Sequence, residues 1–74
     1  MDNSKLIRMA NQIGAFFAAM PDRPEALEGI ALHIKRFWEP RMRQELMAHI
    51  EANDAAGLDD IVATALREHR AELV

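Results

Sequence analysis

Residues 20–43 read MPDRPEALEGIALHIKRFWEPRMR, and the prolines near the two ends of this stretch set the architecture of the whole 74-residue chain. Asp22 precedes Pro24 and Glu25, which is the order of an N-cap, a first-turn proline and the glutamate of a capping box. Leu27, Ile30, Ala31, Ile34 and Trp38 then recur every three or four residues, so they share one side of a helix. Pro40 stops that helix, because it biases Glu39 away from helical geometry and has no N–H to donate. The same proline suits the first turn of another helix.

Working outward, residues 3–20 carry Leu6, Met9, Ala10, Ile13, Phe17 and Met20 at helical spacing, with Asp2, Asn3 or Ser4 as the cap. A third helix is expected over residues 40–53, with Met42, Leu46 and Ile50 inward. The run NDAAG at 53–57 ends it. A fourth begins near Leu58 or Asp59 and collects Ile61, Val62, Ala65, Leu66 and Leu73 on its apolar side. No period-two alternation competes with this pattern, so the expectation is all-α: a small single domain, residues 1–74, of four short helices. Gly14 and Gly29 fall inside helices at a cost of about 1 kcal/mol each relative to alanine. Close approach between the backbones of the first two helices is the expected compensation.

A chain this short hides only about 60% of its unfolded surface, and its core supplies roughly 3–5 kcal/mol. With no cysteine, it has no disulfide to help and no thiolate for zinc, an iron–sulfur cluster or nucleophilic attack. The N-terminal MDNSKLIRMANQIGAFF is broken by Arg8, Asn11 and Gln12, unlike the apolar core of a signal peptide, and nothing approaches a membrane span. A cytoplasmic protein is the expectation. His33, His49 and His69 lie on three different helices without ligand spacing, so no metal site is expected; His69 falls on the apolar side of the fourth helix. Asp59 and Asp60 suit a helix N-terminus, where capping accounts for both. The three glycines, at 14, 29 and 57, are isolated and form no phosphate loop. No catalytic residue emerges.

What remains unexplained is the stretch around the single tryptophan. The net charge is −3, yet Lys35, Arg36, Arg41 and Arg43 gather about Trp38. Charge is uneven: residues 1–43 hold seven Lys/Arg against five Asp/Glu, and residues 44–74 hold two against seven. Adjacent helical residues point about 100° apart, so Phe16-Phe17 and Phe37-Trp38 cannot both sit at the centre of one stripe. Phe17 and Trp38 fall to one side of their stripes, and Phe16 and Phe37 on the opposite flank. Such broad apolar arcs suggest more hydrophobic surface than a small core needs and suit a partner, the alternative being a bundle that buries all four rings. The arginines admit three readings: pairing with surface carboxylates such as Glu39 and Glu45, a helix–turn–helix facing DNA, which the acidic second half opposes, or a protein contact using Trp and Arg against an acidic or carbonyl-rich patch. A self-associating helical module would use the same arcs.

The segments LIRMANQIGAFF (6–17), PDRPEALEGIALHI (21–34) and RFWEPRMRQEL (36–46) together resemble the delta subunit of bacterial NAD-dependent, molybdenum-containing formate dehydrogenases. The MANQIG run and the FWEPRMR corner are its distinctive parts; the last helix matches by length and pattern. The resemblance implies a non-catalytic accessory subunit of a cytoplasmic enzyme that oxidises formate and reduces NAD. It would bind the alpha, beta and gamma subunits, alpha foremost, supporting their assembly, maturation or stability. It implies that the molybdenum cofactor, iron–sulfur clusters, FMN and NAD belong to the complex and none to this chain. The corner then becomes a docking element, with Arg36, Phe37, Trp38, Arg41 and Arg43 as partner-binding residues and Asn11, Gln12 and Phe16 added from the first helix. Membrane and nucleic acid are not expected partners, and a homodimer is open to the isolated chain.

Overall fold

The structure is a computed structural model and describes residues 2–74. The helices are α1 (Asn3–Phe17), α2 (Arg23–Phe37), α3 (Pro40–Asn53), α4 (Asp60–Glu68) and a terminal turn, α5 (Arg70–Leu73). No strand occurs among the described residues, and no helix there is long and apolar enough to cross a membrane.

Asp2 caps α1 by accepting the Ser4 N–H at 3.0 Å. This helix stops at Phe17, earlier than the expected residue 20. Ala18 N–H closes onto the Gly14 carbonyl at 2.8 Å, and Met20 N–H turns back to Phe17 O at 3.0 Å. Pro21 disfavours helical geometry at Met20, which therefore leaves the α1 stripe. Asp22 caps α2 through Glu25 N–H at 3.2 Å.

α2 touches every other helix and forms the centre of the bundle. Its Leu27, Ile30, Ala31 and Ile34 meet Leu6 and Ala10 of α1, Leu46, Met47 and Ile50 of α3, and Val62, Ala65 and Leu66 of α4 in one core. Trp38 ends α2 in an extended conformation (φ −91°, ψ 141°) and is only 6% exposed. Its indole thus fills the inside of the corner where α2 hands over to α3.

Two expectations about glycines are corrected. Gly14 packs on the Val62 side chain of α4, and Gly29 lies under the Phe17 ring, so neither brings the α1 and α2 backbones together. A Cβ at Gly29 would stand 2.5 Å from Phe17 Cε1. Small residues here make room for side chains. Gly14→Ala is therefore expected to destabilise the domain by about 1–2 kcal/mol, because forcing a methyl into Val62 outweighs the helix-propensity gain of about 1 kcal/mol. Urea melts check this, and Val62→Ala added to Gly14→Ala should recover part of the loss; a single variant more stable than the parent would contradict the packing argument.

The other end of the bundle holds the remaining differences. Asp54 and Ala55 adopt left-handed conformations (φ 52° and 58°), followed by Gly57 at φ 85°. For non-glycine residues this costs about 1–2 kcal/mol each. The turn is held by the buried Ala55 methyl and by Arg67, whose NH2 lies 2.9 Å from Asp54 Oδ1. Asp59 occupies the N-cap of α4 without a side-chain capping bond, and Asp60 instead faces Arg23 at 3.7 Å. Capping by the Asp59 side chain is therefore not what places this pair. The fourth helix is interrupted at His69, which sits partly buried at the α4–α5 joint with Nδ1 2.9 Å from Glu72 Oε2. Beyond that break α5 packs against α2 and α3 and buries Leu73.

Candidate functional site

Antipathy to water leaves one surface of this bundle unresolved. Phe16 near the end of α1 is 74% exposed and Phe37 at the end of α2 is 72% exposed. Between them a cavity of about 450 Å³ opens, lined by Met9, Gln12, Ile13, Phe16, Phe17, His33 and Trp38. It is a groove between α1 and α2, large enough for one or two side chains.

Helix geometry explains this composition. Met9, Ile13 and Phe16 run at four- and three-residue steps along one flank of α1, and Gly29, His33 and Phe37 run at four-residue steps along the facing flank of α2. Gly29 lets Phe17 lie down across α2. Phe16 and Phe17 meet edge to face at 5.2 Å, Phe17 reaches His33 at 6.4 Å, and His33 tilts against Phe37 at 4.8 Å. The rings thus form a chain that runs from one exposed phenylalanine to the other. The sequence pattern argued against a metal role for His33 but assigned it no other; its four-residue spacing from Gly29 and Phe37 carried the signal for its place in this chain of rings.

The cations around Trp38 divide into two kinds. Arg43 is turned into its own corner: its NH1 donates to Lys35 O at 2.9 Å and Trp38 O at 3.1 Å. A helix that ends at Phe37 leaves its last carbonyls without donors from the next turn, and Arg43 supplies them. Its Nε is buried with no partner among the described residues. Lys35, Arg36 and Arg41 are exposed and make no ion pair among the described residues, whereas Arg23, Arg67 and Arg70 each sit on a carboxylate. Of the three readings of these arginines, pairing with Glu39 or Glu45 is not made by Arg36 or Arg41 among the described residues. Arg43→Ala should cost about 1–2 kcal/mol by removing two hydrogen bonds, the one to the part-buried Trp38 carbonyl foremost, while Arg41→Ala should stay within about 0.5 kcal/mol of the parent. Equal effects in chemical melts would remove the distinction.

Asn11 also works within the chain. Its Nδ2 donates to Gly57 O at 3.0 Å and its Oδ1 accepts Asp59 N–H at 2.9 Å, so both ends of the amide tie α1 to the loop before α4. Gln12 is exposed and lines the groove. His49 reaches Ala56 O at 2.8 Å and Asn53, and, among the described residues, no three His, Asp or Glu side chains gather as a metal ion would need. Phe16, Gln12 and Trp38 therefore line one groove, Phe37 packs against its His33, and Arg36 and Arg41 lie close to Trp38 in sequence. Arg43 and Asn11 build the frame.

A family model described as NADH-dependent formate dehydrogenase delta subunit matches residues 5–66. That span includes α1 from its third residue, all of α2 and α3 and most of α4, and with them every residue that lines the groove. No curated protein and no solved structure matches the chain.

Proposed function

We infer the role of this chain from one premise: it belongs to the NADH-dependent formate dehydrogenase delta subunit family. A delta subunit is part of a larger assembly with the other formate dehydrogenase subunits, so some of its surface is made to meet them. Within that assembly this chain is a non-catalytic accessory subunit that supports assembly, maturation or stability. It contacts the alpha subunit foremost and works in the cytoplasm. The molybdenum cofactor, iron–sulfur clusters, FMN and NAD stay with its partners, a division supported by a sequence without one cysteine for a cluster.

The observation that carries this reading is the exposed pair Phe16 and Phe37 beside an apolar groove. Large rings left in water on a domain with so little stability to spare are best accounted for by a protein contact. The test is co-expression of the tagged chain with the alpha, beta and gamma subunits, followed by affinity capture and gel filtration at moderate salt. Stoichiometric co-elution is expected; an active three-subunit enzyme that leaves the chain behind would overturn residence in the complex. In isolation, the same rings favour a homodimer, which sedimentation at several concentrations would detect.

A further inference from the structure

We propose that the groove between α1 and α2 receives an acidic segment of a partner subunit, bearing one large aliphatic or aromatic side chain with carboxylates within about a turn of it. This rests on the delta-subunit reading and adds the chemistry of what is bound. The apolar half of the argument is the cavity of about 450 Å³ between Met9, Ile13, Phe16 and Trp38, which suits an anchor side chain and has the scale of a ligand pocket.

The polar half is charge. Residues 35–43 hold four cations and one carboxylate in a protein of net charge −3. Arg43 is committed to the corner carbonyls, and Glu39 is the local counter-charge, exposed at the N-cap of α3 without a capping bond. Lys35, Arg36 and Arg41 are left without ion pairs among the described residues, all within three residues of the tryptophan that closes the groove. An arginine side chain that is exposed and unpaired beside an apolar pocket can meet a carboxylate on a bound segment without first breaking a bond of its own. A basic segment seated beside Trp38 would instead meet Arg36 and Arg41 with like charge.

The experiment uses the co-expressed formate dehydrogenase complex. A photoreactive phenylalanine analogue replaces Phe16, the complex is irradiated, and the cross-linked peptide is identified by mass spectrometry. In parallel, capture is measured for Arg36→Glu/Arg41→Glu at low and moderate salt. Cross-linking to a partner segment with carboxylates near a large apolar residue is expected, and the charge-reversed variant should bind at least about tenfold more weakly, with the deficit largest at low salt. Co-elution of the parent chain with unchanged binding of the reversed variant, or with a cross-link to a basic or uncharged segment, overturns the proposal and leaves the accessory-subunit reading standing. A cross-link between two copies of this chain makes the groove a self-association face and also overturns it. If the parent chain does not co-elute at all, both readings fall together.

Discussion

Trp38→Ala is expected to leave the chain largely unfolded at room temperature. Removing a buried tryptophan costs about 3–5 kcal/mol, which is the whole stability that a core of this size supplies. The indole is 6% exposed and belongs to the same core as Ile30, Ile34 and Leu46. It also stands at the junction where α2 ends and α3 begins, so its loss loosens two helices at once. Far-ultraviolet circular dichroism should show most of the helical signal gone. Trp38→Phe, which keeps part of the apolar volume, should retain a cooperative but lower melt. An alanine variant that melts within a few degrees of the parent would mean that the corner is held by Arg43 and proline geometry instead.

Phe16→Ser/Phe37→Ser should have the opposite profile. Both rings already stand mostly in water, so the melt should lie close to that of the parent. Association with the other subunits should weaken by at least about thirtyfold, the roughly 2 kcal/mol that a single aromatic hot spot carries. The two losses need not add, because the rings belong to one connected chain through Phe17 and His33. Capture of the double variant with parental affinity would move the docking surface elsewhere on the bundle. Together, the two variants separate what folds the chain from what it is folded for.

The fold was legible wherever the cause was local. Asp22, Pro24 and Pro40 mark boundaries by backbone chemistry that acts within a few residues, and the apolar stripes from Leu6 to Leu66 give the inward faces. What could not be read depended on partners distant in sequence. Gly14 meets Val62 only once α4 has folded back, and Asn11 finds its two hydrogen bonds on Gly57 and Asp59. From its position alone Asn11 looks like an off-stripe polar residue. The site divides along the same boundary. The placement of Phe16 and Phe37 followed from helical angles, and both rings are exposed. Arg43 sits among its neighbours in sequence but turns inward, because a helix ending before Pro40 needs donors that no composition count reveals. The break at His69 was hidden for a related reason: Leu73 keeps the helical period although the backbone leaves helical geometry at His69 before it.

The position of Trp38 has a practical consequence. The chain has one tryptophan and no tyrosine, so its intrinsic fluorescence comes from a single indole. That indole is shielded from water and lines the groove. Unfolding should shift its emission toward the red, while a segment seated above it should alter intensity or quenching with little such shift. The protein therefore contains a label-free optical reporter that distinguishes loss of the fold from occupation of the groove.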